Sequence, residues 1–300
     1  MSKSLSKDRL ATCMLIITAF IWGLGFVAQR AAMDHVQPFT FNAVRFGLGG
    51  LSLLPLAIKL EKAKLTRDTV IAGLAIGGIL FIAAALQQIG ITITGSASKA
   101  GFITGLYIVL VPVLGIFVGR RTSKFVWMGA VLATIGLYLI GAPEGLTALD
   151  VGTILLLICA FCWAVHILVI DRFVTKIKPI TLMVFQALIC SALSFIAAFV
   201  FEDMQMAQIV AGRVPIFFSA FISVGIAYTL QIIAQQYVPP GRSAVIFSME
   251  SVVAAGGEAV ILGDFLDGRG YAGGAMIFIG IIISQLKDIL KNNKKVGEKP

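Results

Sequence analysis

Residues 243–264 read SAVIFSMESVVAAGGEAVILGD, an apolar run that holds two carboxylates, Glu250 and Glu258. A carboxylate removed from water must pair, take up a proton or face a wet cavity. Glu250 falls within about 4 Å of the middle of the run at 1.5 Å per residue. That depth suits a reversible acceptor for a substrate ammonium or a proton; a structural carboxyl bonded to a neighbouring helix is the alternative. Glu258 follows eight residues later, about 80° around a helix and about 12 Å along it. Arg45 sits inside another apolar run at a similar depth. An Arg45–Glu258 ion pair would neutralise both charges, and an external gate is its sharper form. Lys99 is the rival partner for Glu258.

The remaining polar and aromatic candidates also interrupt apolar runs. Trp22 and Trp163 lie too deep for an interfacial belt, so they line a cavity or pack between helices. Tyr107 has a hydroxyl that needs a partner at mid-run. Gln87, Gln186 and Gln231 either bond between helices or touch substrate. His166 is a candidate proton relay, with Glu250 as the other relay group; a satisfied core histidine is the alternative. Cys13, Cys159, Cys162 and Cys190 all fall inside apolar runs and read as small packing residues, with no metal site and no cofactor expected.

The elements that must position these groups are legible in the composition. Of 300 residues 58% are hydrophobic and only 13% charged, too few polar residues to cover a soluble surface. Ten apolar runs of spanning length occur at 10–29, 39–58, 69–91, 100–118, 125–141, 151–170, 180–200, 214–236, 243–262 and 270–287. Each approaches the length that crosses a hydrocarbon core of about 30 Å. The first lacks a small-residue cleavage site and reads as an uncleaved span.

The net charge of +9 is a topology signal, because one set of alternate links and both tails hold 19 Lys and Arg while the other set holds four. That asymmetry places both termini in the cytoplasm and argues against a nucleic-acid partner. The expected partners are the lipid bilayer and a small-molecule substrate, with a monomer expected and an oligomer left open. The two histidines, His35 and His166, fall on opposite sides in this topology, which argues against an integral-membrane enzyme. No polar ring indicates a channel.

The halves of the chain resemble each other. AFIWGLGFVAQR (19–30) aligns with AFCWAVHILVIDR (160–172), setting Trp22 over Trp163 at an offset of 141, and Pro38 and Thr40 over Pro179 and Thr181. Later the offset is 144, with Leu86-Gln87 over Leu230-Gln231 and Gly129 and Gly136 over Gly273 and Gly280. Five spans per half is an odd number, so the second half enters the membrane inverted. Such repeats enclose a midplane site reached alternately from either face.

The motifs AFIWGLGFVAQR, FNAVRFGLGGL (41–51), SASKAGFITGLYIVLVPVLG (96–115) and PPGRSAVIFSMESVVAA…LGD resemble the drug/metabolite transporter superfamily in its ten-helix EamA-type branch. The resemblance implies an all-α integral membrane fold of ten transmembrane helices in two inverted-topology five-helix repeats. It implies a cavity lined by spans one to four and six to nine, with the fifth and tenth peripheral. It also places a glutamate at position 250, whereas the family residue at 258 is small or apolar. The family's Glu-Pro reads Glu250-Ser251 here, so a proline break in the ninth span is not expected. Small four-helix relatives carry a coupling acid in the first span, and this chain has none there.

The expected organisation is a cytoplasmic tail (1–9), a first repeat (10–141), a second repeat (150–288) and a basic tail (289–300). The expected function is a secondary transporter of the cytoplasmic membrane. It exports a small organic metabolite or amino acid by alternating access, with a drug exporter of the same fold as the alternative. The expected substrate-binding residues are Glu250, Trp22, Trp163, Tyr107, Gln87 and Gln231.

Overall fold

A computed structural model describes residues 2–141, 150–262 and 268–297, with side chains described for 7–140, 150–260 and 268–286. The described residues form helices only, in the order α1 (Ser2–Ala32), α2 (Pro38–Lys59), α3 (Arg67–Thr94), α4 (Ala97–Gly105), α5 (Tyr107–Phe117), α6 (Lys124–Gly141), α7 (Val151–Phe173) and α8 (Pro179–Phe201). Then follow α9 (Met206–Ala211), α10 (Arg213–Phe217), a π-helical segment (Phe218–Ala227), α11 (Tyr228–Gln235), α12 (Pro240–Phe247), α13 (Met249–Leu262) and α14 (Gly268–Gly297).

Among the described residues nine helical stretches are long and apolar enough to cross a membrane, counting α4–α5, α10–α11 and α12–α13 as one each. The expected fifth run is shorter. Its apolar helix covers Lys124–Ile140, which at 1.5 Å per residue reaches about 26 Å, the lower edge of spanning length.

α6 and α14 pack against each other through glycines. A Cβ on Gly129 would lie 2.5 Å from the Gly280 carbonyl oxygen, and one on Gly136 would lie 2.5 Å from that of Gly273. Only glycine permits so close an approach, which maximises dispersion contact where lipid supplies no hydrophobic drive. The two contacts run in opposite chain directions, so the helices are antiparallel.

α2 and α8 are also antiparallel partners, and they cap each other. Each starts with proline at its first position, and neither Gln37 nor Lys178 supplies a side-chain cap. Glu202, just past the end of α8, accepts from the Phe39 and Thr40 amides and the Thr40 hydroxyl, all at 2.7 Å. Glu61, just past the end of α2, accepts from the Ile180 amide at 3.1 Å and from the Thr181 amide and hydroxyl at 2.7 and 2.8 Å. A carboxylate on exposed helix N–H groups satisfies orphan donors and the positive helix end together.

Three stretches depart from regular α-helix, and two of these breaks meet at the centre. α4 gives way to α5 at Leu106, whose amide bonds back only three residues, to Ile103 at 3.2 Å. α12 gives way to α13 at Ser248, and the Ser251 amide returns to the Ser248 carbonyl at 3.2 Å. So the second break forms without a proline. The Ser248 hydroxyl donates to the Val245 carbonyl at 2.7 Å, and Ser251 donates to the Gly101 carbonyl of α4 at 2.7 Å. Serine hydroxyls competing for carbonyls are a known source of helix distortion.

Candidate functional site

The break in α12–α13 puts Glu250 in the first turn of α13, where unsatisfied amides favour a carboxylate. The break in α4–α5 makes Tyr107 the first residue of α5. The two breaks bring these residues together: the Tyr107 hydroxyl donates to Glu250 Oε1 at 2.7 Å, and both side chains are buried. α1 closes over them at Gly23, where a Cβ would lie 2.6 Å from the Glu250 carbonyl oxygen.

Glu250 and Tyr107 form one wall of a central cavity. Trp22, Phe26 and Gln29 of α1 line it, with Arg45 of α2, Gln87 of α3 and Thr104 of α4. Trp163 and Ile167 of α7, Ser223 of the π-helical segment, and Tyr228 and Gln231 of α11 complete it. Its volume open to the centres of water molecules is about 30 Å³, room for a small number of waters and no metabolite.

The aromatic wall is a packed cluster. Trp22 lies 4.9 Å from Tyr228, 5.1 Å from Phe247 and 6.4 Å from Trp163, centroid to centroid. These separations are those of attractive tilted ring pairs. The Trp163 indole donates to Gln87 Oε1 at 2.7 Å, and Gln87 donates to Gln29 Oε1 at 2.9 Å. The chain of amides ends on the Gly25 carbonyl at 3.2 Å. By contrast, the Trp22 indole nitrogen and both polar atoms of the Gln231 side chain have no hydrogen-bond partner. A buried polar group left unmatched beside a cavity is costly unless something in the cavity meets it.

Arg45 is 2% exposed. Its Nε donates to Asn42 at 2.9 Å, and its guanidinium lies 4.7 Å from the Phe46 ring centroid and 5.0 Å from that of Phe41. Cation–π contact is what keeps a desolvated guanidinium tolerable here. The expected Arg45–Glu258 ion pair does not form. Glu258 turns instead to the start of α4, where it accepts from the Ala97 amide at 3.2 Å, the Ser98 amide at 2.8 Å and the hydroxyls of Ser96 and Ser98. Equal depth did not make the two residues face each other, and four local donors outcompete one distant guanidinium.

Lys99 is likewise not the partner of Glu258. It binds Asp150 at 3.0 Å, at the N-terminus of α7. The Thr153 amide, then Lys99, hold the Asp150 carboxyl down from 3.8 to about 2. The stabilisation from that cap is therefore present above pH 3.8 and lost as pH falls through the lowered value.

His166 sits behind the aromatic wall, with its Nε2 at 3.1 Å from Gln186 Oε1 and its ring 5.3 Å from that of Trp163. No hydrogen bond joins it to Glu250 among the described residues. Cys159 packs with its Sγ 3.2 Å from the Ala83 carbonyl. Among the described residues no three His, Cys, Asp or Glu side chains gather where they could hold a metal ion.

The EamA-like transporter family matches twice, over residues 9–142 and 150–286. The chain belongs to the EamA-like transporter family. An uncharacterized transporter of Archaeoglobus fulgidus is 30% identical over 274 residues, covering 91% of this chain and 85% of that one. The threonine/homoserine exporter RhtA of Salmonella typhimurium is 28% identical over 241 residues, covering 76% and 75%. RhtA of Escherichia coli is 26% identical over 267 residues, covering 84% and 83%. A solved crystal structure with 18% identity superposes with a TM-score of 0.76, covering 92% of this chain and 96% of the other. The last likeness concerns the fold alone.

In this EamA-like chain six sequence-derived candidates, Glu250, Trp22, Trp163, Tyr107, Gln87 and Gln231, line the central cavity, and Arg45 joins them. Tyr228 and Gln29 went unnoticed in the sequence. A glutamine three residues from the end of an apolar helix reads as interfacial, and Tyr228 is marked by no motif. Its only signal is its distance of one helical turn from Gln231.

Proposed function

We propose that this EamA-like transporter is a ten-span, inverted-repeat carrier of the cytoplasmic membrane, with both termini inside, that exports a small zwitterionic metabolite of the amino-acid class. The observation that carries the substrate class is the joint presence of buried Arg45 and buried Glu250 on the wall of one cavity. A guanidinium matches a substrate carboxylate, and a carboxylate matches a substrate ammonium. A singly charged solute leaves one of these buried charges without a match, which low dielectric penalises.

Two kinds of contact support the inverted arrangement. Glu61 and Glu202 differ by the same 141 residues as Thr40 and Thr181, and each caps the other's helix. The crossings Gly129–Gly280 and Gly136–Gly273 exchange with each other at the offset of 144. Lys124–Ile140 then serves as the fifth span, paired with α14. The 19-to-4 charge bias supports cytoplasmic termini, and the relatives named threonine/homoserine exporters support outward transport of an amino acid.

The aromatic cluster of Trp22, Trp163, Tyr228 and Phe247 favours a second reading, export of an apolar drug cation. One experiment separates the two. Everted vesicles accumulate labelled threonine under the first reading, and neutral amino acids compete while the matched amine and the matched carboxylic acid do not. Competition by aromatic cations with no effect of amino acids would establish the second reading and overturn the first.

A further inference from the structure

Two hollows meet at the end of the molecule that bears the excess of Lys and Arg, away from the central cavity. One is polar, about 660 Å³, with Arg121, Thr122, Lys176 and Gln236 in its lining. The other is an apolar groove of about 850 Å³ between α5 and α7, lined by Leu114, Phe117, Val118, Leu168, Val169 and Phe173. They share one rim, made of Gly119, Arg120, Asp171 and Arg172.

The local chain explains this juxtaposition. α5 ends at Phe117, and Gly119 just beyond it has a φ of 75° that lets the Arg120 amide reach back to the Gly115 carbonyl at 2.8 Å. Such a terminus turns the chain sharply, so Arg120 and Arg121 emerge directly beyond the apolar end of the helix. Phe117 is 82% and Val118 63% exposed, which is tolerable only against hydrocarbon.

The charges on the rim do not cancel. Asp171 pairs with Arg120, while Arg121, Arg172 and Lys176 have no ion pair among the described residues. A polar hollow with surplus cations, opening sideways into an apolar groove at the membrane boundary, has the shape and charge of an amphiphile's two ends.

We infer that this double hollow binds an anionic phospholipid, with its phosphate against Arg121 and Arg172 and an acyl chain along Phe117, Leu168 and Val169. A free phosphate would use the polar hollow alone and leave the groove unfilled. A choline lipid would bring its own cation to the arginines, so the site selects against it.

The test uses the full chain in mild detergent, supplied with phosphatidylglycerol or phosphatidylcholine. Lipid retained in native mass spectrometry and the thermal midpoint are read together. The parent protein should keep phosphatidylglycerol selectively and melt higher with it. Arg121→Gln and Arg172→Gln should each weaken retention by about fivefold, the effect of one basic residue near a charged membrane surface. Lys59→Gln/Lys64→Gln removes two charges from the same side without touching the hollow, and should leave retention unchanged. If one arginine variant is not monodisperse, the other alone is decisive. Equal retention of the two lipids, equal loss in the lysine variant, or the same melting shift with inorganic phosphate would each overturn the proposal.

Discussion

The Tyr107 hydroxyl donates to Glu250 Oε1 at 2.7 Å across the point where two broken helices meet. This contact joins α5 to α13 on the wall of the central cavity. It occupies Oε1 of the carboxylate.

Glu250→Gln keeps the shape and an oxygen for Tyr107, but it can neither ionise nor neutralise an ammonium. The expected result is a folded, membrane-inserted protein whose transport rate falls at least about tenfold, the cost of losing a charged hydrogen bond. The pH dependence of transport in proteoliposomes should flatten as well. A rate and pH profile equal to the parent's would make Glu250 a structural carboxyl.

Tyr107→Phe removes the donor and leaves the acid. Transport should weaken less than in Glu250→Gln, because the carboxylate still answers the substrate charge. A substrate KM raised by roughly tenfold, with the protein's melting point nearly unchanged, is the expected pattern. Loss of folding in Tyr107→Phe would assign the pair to stability alone.

Arg45 and Glu258 serve separate partners, so their effects should be independent. Detergent melting of Arg45→Leu, Glu258→Leu and the double variant should show additivity within about 0.5 kcal/mol. Glu258→Leu and Ser98→Ala share hydrogen bonds and should instead couple. Strong coupling between Arg45 and Glu258 would mean that the two meet in another state of the transport cycle.

The orientation is checked with single cysteines in a cysteine-free background. Cysteines at Asp34 and Asp203 should react with an impermeant reagent outside the cell, and those at Lys62, Lys124 and Lys176 should not. Labelling of Lys62 from outside would remove the basis for the inverted repeat.

Glu61→Ala and Glu202→Ala each strip the cap from a neighbouring helix. Each should cost about 1–2 kcal/mol, at the upper end for caps because three donors lose their acceptor. The two losses should add, since the residues lie at opposite ends of the α2–α8 pair. A variant that melts like the parent would show that water replaces the carboxylate at no cost.

The spans and the cavity acid were legible because both are one-dimensional signals. Hydropathy marks a helix by composition, and an acid inside such a run must be accounted for wherever it faces. The Arg45–Glu258 pairing failed for the complementary reason. Rise along a helix gives depth, but nothing in either run fixes the azimuth, and Glu258's partners include backbone amides that no inventory of side chains reveals. Glu61 and Glu202 were missed although Pro38 and Thr40 aligned with Pro179 and Thr181. Both acids lie just outside the apolar runs, where a carboxylate needs no explanation from sequence.

Glu61 reaches Thr181 while Glu202 reaches Thr40, and exchanging the halves of the chain exchanges the two contacts. That is the rule of an isologous interface, in which residue i of one subunit meets j of the other and j meets i. The same four residues, read as two identical subunits, describe an antiparallel homodimer of five-helix chains. The single polypeptide thus carries within one chain the bonding scheme of a two-fold pair. The exchange is not complete at the centre: Glu250 has no carboxylate counterpart at position 106, which is leucine. The correspondence holds at the helix caps and along much of the cavity wall, where Trp22 matches Trp163 and Gln87 matches Gln231, and it breaks at the buried acid.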